Sequence, residues 1–322
     1  MPWRETAAEL ERARAEQPVL VPSPHGNMFG IYTPADPAAP QADHCVILFT
    51  RPRSHRNRLW VEGARRLATQ GFAAFRFDYH GAGDSEGTSA FLNPNRPYRE
   101  AAATVVRMLR EKYGHQRFLV LGACFDARTA LSTFMDEGAA VDGMVFYAAP
   151  VMELETLVKA HADHKSWRHL LRALGNRENW RVLGDPERWK YMATVLSRVA
   201  SRGAKTGAPH NDTPLSDSFV EHFRALVQSG KRALFVYGES DAEYVSFQVA
   251  LATVFPRLSP AERARHEVEI WPEDVHGFLN IPMQRRSLER ALAWFGEFHP
   301  RGTLAANGQP AANAIGHGNG DA

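Results

Sequence analysis

Phe118-Leu119-Val120-Leu121-Gly122-Ala123-Cys124-Phe125-Asp126-Ala127-Arg128 is the stretch on which the fold of this chain turns. An apolar run of strand length ends in two small residues, Gly122 and Ala123, and a nucleophilic side chain, Cys124, with a further small residue at Ala127, and Arg128 to Met135 then continues as helical sequence. Strand, sharp turn and helix in that order are the grammar of a nucleophile elbow. In such a turn the nucleophile occupies a strained backbone position. Small neighbours are needed where strand and helix pass close together, and the helix N-terminus polarises whatever sits at its mouth. The usual pattern is G-x-S-x-G, and this chain has G-A-C-F-D. Cysteine keeps a nucleophile and makes it easier to ionise, since a thiol starts near pKa ~8.5 and falls further beside a histidine or a helix N-terminus. Asp126 puts a side chain where a glycine is usual. A free cysteine at a strand end is equally often a small buried hydrophobe, so Cys124 has a catalytic and a core reading.

Outward from the elbow the chain alternates. Cys45 to Thr50, Ala73 to Tyr79, Gly143 to Tyr147, Arg232 to Tyr237 and Glu267 to Trp271 read as strands, the continuous apolar runs among them as strands buried on both faces. Leu59 to Gln70, Pro97 to Lys112, Val245 to Phe255 and Met283 to Phe298 read as helices. Val19-Leu20-Val21 and Met28 to Tyr32 flank Ser23-Pro24-His25-Gly26-Asn27 and predict a hairpin. Alternation of this kind predicts an α/β fold with a mostly parallel sheet covered on both faces, and ligands at the carboxyl ends of its strands. It breaks between 151 and 230, a stretch with helical segments, three tryptophans (Trp167, Trp180, Trp189) and no convincing buried strand. The expected organisation is an N-terminal helical extension over 1–17, a core over 18–150 and 231–300, a helical cap over 151–230 and a disordered Gly/Ala/Asn-rich tail over 301–322.

Composition narrows the function class. With 322 residues and 44% hydrophobic content the chain can bury a full core. Its two cysteines, Cys45 and Cys124, make neither a disulfide framework nor a zinc ligand set, which favours a reducing, cytoplasmic setting. No stretch approaches the ~20 apolar residues of a membrane span, and a net charge of +2 does not argue for nucleic acid. The Gly81-Ala82-Gly83-Asp84-Ser85-Glu86-Gly87 stretch lacks the Lys-Ser/Thr of a phosphate loop and the helix of a dinucleotide fingerprint, so a structural turn is expected there.

Cys124, Asp241 and His276 each fall just beyond the carboxyl end of an expected strand, in chain order nucleophile, acid, base. In that scheme Cys124 attacks a carbonyl, His276 moves its proton, and Asp241 fixes the imidazole tautomer and stabilises its charged form. The alternatives are a surface-loop histidine for His276 and a helix N-cap for Asp241.

With S-P-H-G-N in the hairpin, F-D-Y-H-G-A-G-D-S-E-G after an inner strand, G-E-S-D at 238–241 and V-H-G-F at 275–278, the chain resembles the α/β-hydrolase superfamily from about residue 18 to 298. The resemblance implies an eight-stranded sheet, a helical cap after the sixth strand, no redox cofactor and no metal. It maps the family's nucleophile, acid and base onto Cys124, Asp241 and His276. A cysteine nucleophile is similar to that of dienelactone hydrolase-like members, and C-F-D-A-R is loosely similar to the S-x-x-A-R turn of bacterial acyl-ACP thioesterases. By the same resemblance the oxyanion donors are the backbone N–H of Phe125 and one from the loop after the third strand, at Arg51 or its neighbour. The loop lacks the usual His-Gly, and a salt bridge from Asp126 to Arg128 or to an arginine of the 51–56 loop would stand in for the missing glycine.

Arg51, Arg53, His55, Arg56 and Arg58 would border the nucleophile, and the insertion adds further basic residues. A basic rim suits a phosphate- or carboxylate-bearing acyl donor, which makes Arg53, Arg56 and Asp126 candidate substrate contacts and Trp167 a candidate pocket wall. The expected activity is acyl transfer through a Cys124 acyl-thioester, from a coenzyme A or carrier-protein thioester, as thioesterase or acyltransferase/cyclase. Carboxylic ester or lactone hydrolysis is the first alternative, and a non-catalytic acyl-ligand-binding protein the second. A small-molecule acyl substrate is the expected partner, with an acyl carrier protein and a homodimer among the admissible ones.

Overall fold

The computed structural model describes residues 15–88, 95–153 and 215–299. Eight short runs, most of them rich in β-branched and aromatic residues, pair into one sheet. They are β1 (Gln17–Val21), β2 (Met28–Thr33), β3 (His44–Phe49), β4 (Ala73–Phe77), β5 (Arg117–Ala123), β6 (Val141–Tyr147), β7 (Arg232–Gly238) and β8 (His266–Trp271). Their spatial order is β1-β2-β4-β3-β5-β6-β7-β8. β2 runs antiparallel to both of its neighbours, and every pair from β4 to β8 is parallel.

β3 and β4 are buried along their whole length. The reason is that helices cover both faces of the sheet, so these strands have no solvent side to alternate toward. α1 (Leu59–Thr69) packs with α7 (Ile281–Gly296), while α2 (Arg99–Tyr113), α3 (Phe125–Asp136) and α4 (Asp217–Ser229) form a second contiguous set. α5 (Ala242–Thr253) follows β7, and the single-turn α6 (Pro260–Arg263) leads into β8 under a Ser259–Glu262 capping box. Trp60, Trp294, Phe49, Phe77, Phe118 and Phe146 are fully buried and form the centre of the core. No described helix is long and apolar enough to cross a membrane.

This topology dictates where chemistry belongs. From β3 the chain moves to β4 on one side and returns to β5 on the other, so the loops leaving β3 and β5 diverge and open a crevice at their carboxyl ends.

The expected cap boundary at 230 is not where the chain rejoins the core. Leu215 already pairs with Met152 across an isolated bridge, and the Ser216 N–H donates to Val151 O at 2.9 Å. α4 then buries Phe219, Phe223 and Leu226, which recur at helical spacing along one face. Both stems are fastened by Arg128 of α3, which is fully buried and donates to Pro150 O (2.9 Å), Ser216 Oγ (3.1 Å) and Ser218 Oγ (2.7 Å). Burial among these neutral acceptors pulls the Arg128 guanidinium down to about 10. Residues 1–14 of the expected N-terminal extension, 154–214 of the expected cap and the tail from 300 onward lie outside the described residues.

Candidate active site

Cys124 stands between β5 and α3 with φ 54° and ψ −133°, a conformation that L-residues rarely adopt. Its N–H donates to Tyr147 O on β6 (2.8 Å), which pins the turn from the neighbouring strand. The close approach between strand and helix is made by Gly122, where a Cβ would run into the Ala127 backbone. Ala127, not Asp126, therefore has to be small. Asp126 points the other way and accepts from Arg51 Nη2 at 3.1 Å, the bridge to the 51–56 loop that the missing glycine called for.

His276 follows β8 in a short 3-10 turn, His276–Phe278. Its Nε2 lies 3.8 Å from Cys124 Sγ, and its Nδ1 lies 2.9 Å from Glu243 Oε2. The Nδ1 contact meets the distance of an ion pair without the alignment of a full hydrogen bond. Glu243 is buried in the first turn of α5. Burial alone would lower the His276 pKa; the Cys124 sulfur and the Glu243 carboxylate outweigh it and push the imidazolium up to about 11.

Asp241 does not hold the ring. Its Oδ1 accepts from the N–H groups of Val275 (2.9 Å) and His276 (2.8 Å), and its Oδ2 accepts from Gly238 N–H (2.7 Å). It occupies the N-cap position of α5, yet its side chain makes no capping bond to that helix. The carboxylate expected behind the imidazole is spent on the backbone of the histidine loop, and Glu243, two residues on, reaches Nδ1 in its place. Burial raises Asp241 to about 7, and the neighbouring Asp274 carboxyl adds to the rise.

Thr50, Arg51, His55, Cys124, Phe125, Asp126, His276 and Phe278 line a cavity of about 220 Å³. Phe125 is the first residue of α3, so its N–H has no acceptor within the helix and lies beside Cys124. Arg51 also borders this cavity, its guanidinium flanked by the rings of Tyr79 (4.9 Å) and Tyr98 (5.3 Å). His55, another non-glycine residue with positive φ (56°), is held neutral by burial and by the charge of Arg56.

The other expected contacts fall elsewhere. Arg53 is tied to Asp78 and Asp84, and its own N–H donates to Asp78 Oδ1 (2.9 Å), so it clasps the loops after β3 and β4 together. Gly83, at φ 54°, lies against the Asp78 carboxylate, which makes the Gly81–Gly87 stretch part of that clasp. Arg56 is exposed and off the cavity lining. Trp167 lies outside the described residues.

A larger hollow, about 570 Å³, is bordered by Ser23, His25, His80, Tyr98 and Glu100. Its Ser23–His80 contact (2.6 Å) resembles a nucleophile and base, but Gly26 O (2.9 Å) competes for the single Ser23 hydroxyl proton. The cavity at Cys124 differs in having a buried carboxylate, Glu243, behind its imidazole. No group of three or more His, Cys, Asp and Glu side chains placed to hold a metal ion occurs among the described residues.

Comparison with known proteins agrees with this architecture. Residues 40–191 match the family model described as serine aminopeptidase, S33. The esterase Pf2001 of Pyrococcus furiosus superposes with a TM-score of 0.54 at 15% identity, over 92% of this chain and 96% of its own. Proline iminopeptidase of Mycobacterium smegmatis gives 0.53 at 14% identity, over 88% and 97%. An α/β serine hydrolase without lid from Xanthomonas campestris gives 0.50 at 12% identity, over 91% and 97%. No curated protein matches the sequence. The chain has the α/β-hydrolase fold, with Cys124 at the turn between β5 and α3.

Proposed function

We propose that this protein is a cysteine-dependent carboxylic ester hydrolase that works through an acyl-thioester on Cys124. The observation that carries it is the 3.8 Å approach of Cys124 Sγ to an imidazole whose other nitrogen is backed by a buried carboxylate. His276 Nε2, 3.8 Å from Cys124 Sγ, is placed to take the thiol proton as the sulfur attacks. Cys124 Sγ adds to the ester carbonyl while the oxyanion meets the Phe125 N–H and a donor from the Arg51 loop. The C–O bond then breaks, and the alkoxide leaves with the proton from His276 Nε2. Water attacks the resulting acyl-cysteine and gives its proton to His276, which passes it to the departing Cys124 sulfur as the carboxylic acid is released. Glu243 stabilises the imidazolium from behind.

Comparisons with an esterase and with hydrolases favour ester hydrolysis over acyl transfer from a coenzyme A or carrier-protein thioester. The basic rim that suggested such a donor is also weakened by the engagement of Arg53 with Asp78 and Asp84. Intact-mass spectrometry after mixing with short-chain activated esters is the test. The expected result is a single acyl adduct in wild type and none in Cys124→Ala. Turnover in Cys124→Ala, or neither adduct nor turnover with any ester, would reject covalent catalysis at this cysteine.

A further inference from the structure

We infer that Arg51 is a carboxylate receptor for the acyl portion of the substrate, so that the preferred ester carries a free carboxylate a few atoms from its scissile carbonyl. This rests on the ester-hydrolase proposal and names the substrate class of the same cavity. The guanidinium is built into the wall rather than waving from a rim. Tyr79 and Tyr98 flank it, and Asp126, itself buried beneath the nucleophile turn, fixes one end through Nη2. A guanidinium offers five N–H donors. Asp126 engages a single nitrogen at 3.1 Å, and Nε is buried with no hydrogen-bond partner.

Arg51 is thus oriented and only partly satisfied, and its side chain remains 19% exposed in the cavity that also holds Cys124 and His276. Thr50 Oγ1 on the same lining is likewise buried without a partner. Such donors in a site of low polarity favour a planar anion, and Arg matches a carboxylate in shape as well as charge. At about 30 Å³ per water, a cavity of about 220 Å³ takes about seven water-sized groups, room for a short acyl portion such as succinyl. Asp126 tunes the receptor. Its burial raises its pKa against the opposing pull of Arg51, and its negative charge competes with that of the substrate.

The experiment compares monoethyl succinate with ethyl 4-methylpentanoate, which replaces the carboxylate by an isosteric isopropyl group. Alongside it, succinate and 4-methylpentanoate are titrated calorimetrically into the same proteins. Wild type is expected to favour the succinyl ester about 10- to 100-fold in kcat/KM, the range for a charged hydrogen bond, and to bind succinate more tightly by a similar factor. Arg51→Met should abolish both preferences. Asp126→Asn, which keeps Arg51 and removes the competing charge, should strengthen succinate binding severalfold. Equal handling of the two esters with equal binding of the two acids, or preferences that survive in Arg51→Met, would overturn the receptor while leaving the hydrolase standing. An Arg51-dependent preference for succinate binding without turnover of either ester would uphold the receptor and sink the hydrolase. If Arg51→Met does not fold, weaker or unchanged succinate binding in Asp126→Asn also counts against the receptor.

Discussion

At Cys124 the backbone holds a non-glycine residue at φ 54°, a strain that only a packed surrounding can sustain. It turns Sγ out of the strand toward His276, and this separates Cys124 from Cys45, which is fully buried in β3. Residue type alone could not make that distinction, and the position after an apolar run left Cys124 with both a catalytic and a core reading. His276 was legible from its place just beyond the carboxyl end of an expected strand. Glu243 was not. Residues 238–243 offer three carboxylates, Glu239, Asp241 and Glu243, within one strand exit and the first turn of a helix, and only the direction of each side chain tells them apart. Asp241 satisfies three backbone donors, whereas the longer Glu243 reaches the ring. Glu243→Gln keeps the shape and removes the charge behind the imidazolium, so kcat should fall about 10²- to 10³-fold. Asp241→Asn still accepts from the two loop amides but turns an NH₂ toward the Gly238 N–H. It should lower thermal stability more than it lowers kcat. Steady-state kinetics and melting of the two variants side by side check the division of labour, and the reverse pattern would reassign the acid to Asp241.

Among the elements, the elbow shows why the departure at Asp126 is tolerated. The tight contact that demands a small residue lies between Gly122 and Ala127, one position beyond the usual glycine, and this frees Asp126 to serve the Arg51 loop. Gly122→Ala therefore should destabilise the protein by about 3 kcal/mol, at the upper end for overpacking, and move Cys124 out of register. Urea unfolding and the rate of alkylation by iodoacetamide would report the two effects. Strands were legible where both faces are covered, since nothing but a buried strand explains runs such as Val46 to Phe49. Helix starts were less so. α3 begins at Phe125, directly after Cys124 and ahead of the helical sequence noted from Arg128, because the turn itself supplies the N-cap. α4 was read into the insertion because it follows a stretch without strands, although its buried aromatics already carry a core pattern.

For the whole molecule, pH acts on the anchoring carboxylates as well as on catalysis. The folded pKa of Asp241, raised to about 7 by burial and by Asp274, exceeds that of an unfolded aspartate near ~3.9. The folded state thus retains a proton that the unfolded chain releases. The associated stability is fully present below about pH 4 and is lost as pH rises through about 7. Buried His222 and His266, lowered to about 4 by burial first, act oppositely, and their contribution is lost as pH falls from about 6.5 through about 4. Asp274→Asn isolates the first effect. Its stability relative to wild type should rise between pH 5 and 8, read as a growing difference in urea midpoints, and a constant difference would mean that the two carboxyls do not interact.

Arg128 ties the departing and returning stems of the chain to the very helix that begins at Cys124. The two stems are already neighbours at Met152 and Leu215, so whatever sequence joins them has little to contribute to closing the loop. Evolution could exchange that sequence wholesale, as one changes the bit in a drill, without reopening the problem of how the body holds its shape.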